Sequence, residues 1–415
     1  MMSKRSAIIL ILAVFLGALG ALIYFYFSFN TGSPKAAITP ITTEVYDPFG
    51  TKSSGSAVVS SSTSVVATGT TDTIETPSKL RQISAEPESG FSIIDDAKTK
   101  QTAIHYILRA NGNIYEAYTN SEEQKRLSIT TIPKVYESSW LPDGIRMIIR
   151  YLKDNTENIE TFSVKINPAT TTLNTFEGGV DGNHLPENIS GLAINPAGDK
   201  IFYLTNNLTG SSGFISRPDG LNKKLLFESP LVEWLVSWPK EEIITFNTKP
   251  SAITSGYLYF LNSQTGVFSR VLGGIKGLTT KTNRAGTDVL YSDSARGTPR
   301  LYLYNVKKSE SKLLPWNTLP EKCLWSNTDA KIIYCAVPNS FPSGDYPDSW
   351  YQGLVNFTDR LWMINTDTLA STLVYDMAKE SSNNIDAVDL QLDKNDSHLF
   401  FTNKTDLTLW SLNLK

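Results

Sequence analysis

The chain has 415 residues, long enough for a large core, and its 38 basic and 41 acidic residues are interspersed to leave a formal net charge of −3. No basic stripe is present to neutralise phosphates, which argues against nucleic acid as a partner. Two cysteines are too few for a disulfide scaffold or a cysteine-rich zinc site.

At the amino terminus, Lys4 and Arg5 precede an uncharged run from Ser6 to Phe29, rich in Ile, Leu, Ala and Phe. About 24 such residues cross a hydrocarbon core of roughly 30 Å as a helix. Ala18-Leu19-Gly20-Ala21 would suit a signal-peptide cleavage site, but the apolar run continues through Leu22-Ile23-Tyr24-Phe25-Tyr26-Phe27. Residues 1–29 therefore read as a cytoplasmic stub and an uncleaved signal anchor. The positive-inside bias puts Lys4 and Arg5 in the cytoplasm and everything after Phe29 outside it, periplasmic or extracellular. Residues 30–78 are dominated by Ser, Thr, Gly and Pro, and cannot bury enough apolar surface to offset their ordering entropy. As a flexible coil of about 45 residues they would hold the rest some 35–40 Å from the membrane.

Residues 79–415 are strand and turn throughout, with no convincing helical period. The clearest unit runs from Val135 to Tyr151. It is a strand ending at Trp140, a turn Leu141-Pro142-Asp143-Gly144, and a second strand Ile145-Arg146-Met147-Ile148-Ile149. Pro142 sets φ for the corner, Asp143 can bond its own backbone, and Gly144 accepts φ > 0. Copies follow at Ile194-Asn195-Pro196-Ala197-Gly198, Trp238-Pro239, Asn283-Arg284-Ala285-Gly286, Trp325-Ser326-Asn327 and Leu392-Asp393-Lys394. Anchors at 140, 194, 238, 282, 325 and 392 give steps of 54, 44, 44, 43 and 67, the middle three within the roughly 40–50-residue period of propeller blades and the last lengthened by an insertion. Each copy reads as four strands, as at Gly277-Thr282, Asp288-Ser292, Arg300-Asn305 and Lys312-Pro315.

An earlier, weaker copy starts at Leu80-Ser84 and continues through Phe91-Asp95, Ala103-Tyr118 and Arg126-Ile129. Pro87 and Gly90 stand where its turn should be. The expected fold is all-β, a β-propeller of about seven four-stranded blades. Such a ring must close or expose a strand edge. The last copy ends after its third strand, so its fourth should come from residues before Leu80, with Val65-Val66-Ala67 or Asp72-Thr73-Ile74 as candidates.

The Ser139-Trp140-Leu141-Pro142-Asp143-Gly144 and Asn195-Pro196-Ala197-Gly198-Asp199 turns, each followed by an apolar strand, resemble the WD40-like (PD40) repeat of TolB-type propellers. The resemblance covers residue 80 to the end and implies an interaction platform in the cell envelope.

Chemistry-bearing patterns are sparse. No Gly-x-Ser-x-Gly elbow occurs, and Gly210-Ser211-Ser212-Gly213 reads as a flexible loop. His105, His184 and His398 form no metal-ligand pattern, with His184 expected in a loop. No catalytic residue, metal or cofactor is expected. Cys323 and Cys335 flank one hairpin turn and could pair as a disulfide across it; the alternative is two inert core thiols.

The informative irregularity is the stretch from Pro338 to Gly353, a long insertion between the second and third strands of the sixth copy. It would emerge on the same rim as the blade-to-blade connections, where binding usually resides. Phe341, Tyr346, Trp350 and Tyr351, with His184 nearby, are the candidate binding residues, aromatic side chains being enriched at interface hot spots. The alternative is that the rings fold back and plug the channel. The expected function is a membrane-anchored module binding another envelope protein, a peptide or a surface polymer. A glycan hydrolase or lyase is the second reading, and it requires some of Asp181, His184, Asp345, Asp348 and Asp386 to converge.

Overall fold

Seven antiparallel four-stranded sheets succeed one another in the computed structural model, which describes residues 78–96, 101–167, 178–381 and 384–415. Blade 1 covers 88–126, blade 2 135–184, blade 3 189–229, blade 4 234–276, blade 5 280–313 and blade 6 323–375. Blade 7 takes 387–413 and completes itself with Leu80–Gln82. The expected membrane segment and linker lie outside the described residues, among which no helix is long and apolar enough to cross a bilayer.

The repeated turn explains why the blades are alike. Gly144, Gly198 and Gly286 all have φ near +70°, and each donates its N–H to the residue three positions back, Leu141, Asn195 or Asn283. In blade 7 Asp396 takes the same place at φ 51°. Asp143 Oδ1 accepts from the N–H groups of Ile145 (3.0 Å) and Arg146 (2.9 Å), the bonding its side chain was expected to make.

Second strands are covered on both faces by neighbouring blades, so they read as continuous apolar runs: Met147, Ile148 and Ile149 are each fully buried. Seven apolar clusters fill the seven gaps between blades. Phe202, Trp234 and Phe246 pack between blades 3 and 4, and Phe91, Tyr106, Phe400 and Leu409 between blades 1 and 7. Each such ring or aliphatic side chain contributes roughly 1.5–3 kcal/mol of burial. The 7–1 cluster makes the ring continuous.

Closure does come from the amino-terminal side, but by other residues than expected. Leu80–Gln82 pairs with the third strand of blade 7, Leu80 opposite Leu412 and Gln82 opposite Trp410. Leu80-Ser84 is thus no part of blade 1, whose first strand is Glu88–Asp96. Gly90 is not a turn residue. At φ 146° it lies so close to blade 2 that a Cβ would fall 2.3 Å from the Ser138 carbonyl oxygen, which is what lets the two inner strands touch. The fourth strand of blade 1 is Ser121–Arg126, and Gly210-Ser211-Ser212-Gly213 is not a loop but opens the third strand of blade 3.

Cys323 and Cys335 stand directly opposite on the first two strands of blade 6, fully buried, and are joined as a disulfide with Cα atoms 4.1 Å apart.

Candidate functional site

Strand order divides the ring into two rims. Turns joining first to second and third to fourth strands open on one; second-to-third turns and blade connections open on the other. The blade 6 insertion lies on the second rim and folds inward. Its short helix α1 (Asp348–Tyr351) carries Trp350 to 3% exposure, and Tyr346 and Phe357 are exposed by only 1% and 2%. Phe341 packs against Tyr346 and Phe357 with ring centroids 5.4 and 5.1 Å away.

Beneath the rings lies a buried ion cluster. Lys322 ends the 3-10 turn Pro320–Lys322 leading into blade 6, and its Nζ is 2.7 Å from Asp359 Oδ2. It also donates to an Asp386 carboxylate oxygen and, at 3.0 Å, to the Ala387 carbonyl. The other Asp386 oxygen accepts from Trp350 Nε1 at 2.8 Å and from the Phe357 N–H at 3.0 Å. All three charged side chains are fully buried. Burial works against the Lys322 ammonium, but Asp359 and Asp386 outweigh it and hold it above the usual lysine range. Burial raises Asp359 to about 6 against the pull of Lys322.

The insertion therefore brings its four aromatic residues together, but Tyr346 and Trp350 face the core. The indole N–H and the buried cluster need each other as partners, which is why these rings turn in. Only Tyr351 stays substantially open, at 41%, with its hydroxyl donating to Glu321. His184 is on the insertion's rim, as expected, but on blade 2 and in a strand, not a loop. It ends the fourth strand of blade 2, its ring tilted against that of Phe162 with centroids 4.8 Å apart, and 4.0 Å from Glu160. The proposed acids do not converge: Asp181 bonds Asn167, Asp348 accepts from the Ala252 N–H at 2.6 Å, Asp345 is exposed and Asp386 is buried. No group of three or more His, Cys, Asp or Glu among the described residues is placed to hold a metal.

The opposite rim is open. A cavity of about 780 Å³ occupies the channel, lined by the inner strands of blades 1, 2, 5, 6 and 7. A second, of about 660 Å³, lies across the turns of blades 2 to 5. Trp140, Pro142 and Arg284 line both, so the two cavities adjoin. The repeat turns themselves build this mouth. Sequence reading used them to count blades and missed that Trp140, Trp325 and Arg284 project onto one rim; their shared position at or just past the end of an inner strand was the available signal.

Inside the channel stand two charged groups from separate inner strands, Lys281 of blade 5 and Asp389 of blade 7. Burial lowers Lys281, opposed by Asp389 and Glu321. Asp389 is exposed on the channel wall, yet burial by the surrounding protein still raises it, with Lys281 opposing. Asp389 has φ 52° at a break in the strand register between Val388 and Gln391, a bulge of the kind that re-aims a side chain. Glu137, also on the cavity wall, is tied to Arg150 at 2.7 Å. The hollow thus combines aromatic faces, a cationic rim group and mixed charge within, a lining suited to holding an extended polar ligand.

No protein-family model and no curated protein sequence matches the chain. Among solved structures it is similar to TolB from Acinetobacter baumannii, at 14% identity and a TM-score of 0.42, over 65% of this chain and 62% of that one. It is also similar to an oligogalacturonate lyase in complex with manganese, at 12% identity and a TM-score of 0.48. An oligogalacturonate lyase from Vibrio parahaemolyticus is alike at 10% identity and 0.49; both lyase matches cover 79% of this chain and 97% of the other. At these identities the likeness is one of fold.

Proposed function

We propose that the protein is a membrane-anchored, extracytoplasmic propeller that binds a partner protein, peptide or surface polymer at the mouth formed by its repeat turns. The observation that carries this reading is the asymmetry of the ring. One rim carries an aromatic insertion folded over a buried ion cluster, whereas the other opens into adjoining cavities of about 780 and 660 Å³. Pockets of this size with aromatic walls and a few charged groups are the usual form of a ligand site. The apolar run Ser6–Phe29 behind Lys4-Arg5 supports the anchor, and the TolB-type repeat turns support an envelope location. A glycan hydrolase at the same funnel would need a second free carboxylate beside Asp389, and Glu137 is engaged by Arg150.

The test is photo-crosslinking of the full chain in its native membranes, with a photoreactive residue replacing Asn327 at the mouth or Glu310 on the outside of blade 5. The proposal expects an adduct from position 327 that disappears when Trp140→Ala and Arg284→Glu are added. Equal adducts from both positions, indifferent to those substitutions, would sink it.

A further inference from the structure

The three most exposed large apolar side chains among the described residues are Leu208 (106%), Ile253 (77%) and Leu354 (73%). All three sit at turns between second and third strands, in blades 3, 4 and 6, and so on one rim, the one covered by the aromatic insertion. Each tip is fixed by its own hydrogen bonds. Asn207 Oδ1 accepts from Thr209 N–H at 2.8 Å, Ser251 Oγ from Ile253 N–H at 3.3 Å, and the Ser349 carbonyl from Leu354 N–H at 2.9 Å. The Ala252–Asp348 hydrogen bond ties the blade 4 turn to the blade 6 insertion. These aliphatic prongs stand on three different blades, with Leu231 (51%) and Val232 (41%) also exposed on this rim at the connection from blade 3 to blade 4.

We infer that this rim docks on a lipid bilayer, with Leu208, Ile253 and Leu354 entering the headgroup–acyl boundary. A rigid protein partner gains most from a contiguous buried centre, which separate prongs do not offer. A fluid interface closes around each prong separately, and its attraction scales with the apolar area immersed. The exposed charges on this rim are mixed, Lys276 and Arg296 against Glu157 and Asp345, so insertion rests on the aliphatic tips more than on anionic lipid. The inference draws on the anchor reading for proximity: the chain enters the ring at Lys79 on the mouth rim, and residues 30–78, up to roughly 160 Å when extended, are long enough for the other rim to reach a bilayer held by Ser6–Phe29. Its consequence is orientation: the insertion rim faces lipid and the open mouth faces away.

The test labels single cysteines in the full chain with an environment-sensitive fluorophore; the two native cysteines are bonded to each other and do not compete. Leu208→Cys, Ile253→Cys and Leu354→Cys report on this rim, and Leu221→Cys and Val267→Cys, at third-to-fourth-strand turns, on the other. The chain is bound to vesicles of phosphatidylcholine with a minority of phosphatidylglycerol, with or without a lipid carrying a quencher in its acyl chain. The expected result is fluorescence lost at 208, 253 and 354 and retained at 221 and 267. Vesicle association with no quenching at the three tips, or equal quenching on both rims, would overturn the inference and leave the anchor intact. Failure to associate with vesicles at all would overturn both.

Discussion

Replacing Lys322 with Met would leave Asp359 and Asp386 facing each other with no cation between them. Both carboxylates are fully buried, and Lys322 now lies 2.7 Å from one and in contact with the other. Removing one member of a buried ion cluster costs about 3–5 kcal/mol, because the remaining charge is neither solvated nor paired. One carboxyl can escape that cost by taking up a proton, so the penalty must depend on pH. Asp359 already sits at about 6 with Lys322 present, above the 3.8 of a free aspartate. The folded state therefore holds this proton more readily than the unfolded chain does, and stability from this group falls as pH rises from about 4 through about 6. Without the ammonium, Asp359 should shift further up, so Lys322→Met should lose its full 3–5 kcal/mol at pH 8 and clearly less at pH 5. Urea denaturation followed by tryptophan fluorescence at both pH values measures this. A loss below about 1 kcal/mol at pH 8, or an equal loss at both, would refute the reasoning.

Trp350→Ala should destabilise the propeller by about 3–5 kcal/mol, whereas Tyr351→Ala should cost about 1 kcal/mol or less; thermal melts of the two side by side check the assignment of one ring to the core and the other to the surface. Glu88, 3% exposed and bonded to Thr402 across the ring closure, is raised by burial to about 7. Its folded form keeps a proton that the unfolded chain releases between pH 4.5 and about 7, so it costs stability increasingly across that window. Glu88→Gln should gain on the wild type as pH rises, by up to about 3 kcal/mol at pH 8 in denaturant titrations, and a difference constant with pH would count against this. Replacing Cys323 and Cys335 together by Ala opens a loop with a sequence separation of 12 and should lower unfolding free energy by about 2–3 kcal/mol, read from the same titrations.

The blades were legible because each turn states its own geometry: Pro142-Asp143-Gly144 dictates a corner whatever surrounds it. Blade 1 was not, because Leu80-Ser84 and Phe91-Asp95 are both short apolar runs. Which of them joins blade 7 depends on a partner strand more than 300 residues away, opposite Leu412. The insertion was legible as an aromatic cluster, and an inward fold-back was one of its two readings, but nothing local decided between them. Trp350 turns inward because Asp386 awaits its indole N–H, and Asp386 reads in sequence as a solvated turn acid. Lys322 in Glu321-Lys322-Cys323 likewise reads as surface charge, since nothing local reveals the two carboxylates brought from 37 and 64 residues away. Lys281 and Asp389 are lone charges in separate strands, and only the closed ring lines one channel with both.

The claim on which the account turns is that ligands reach the channel from the repeat-turn rim, past the half-buried Trp140 and Trp325, and not through the insertion over Trp350. Hydroxyl-radical footprinting of the full chain, with oxidation rates resolved for each tryptophan by mass spectrometry, tests it without any partner in hand. The account predicts that Trp140 and Trp325 are modified while Trp350 stays protected until the protein unfolds. Oxidation of Trp350 at the rate of Trp325 in the folded chain would contradict it.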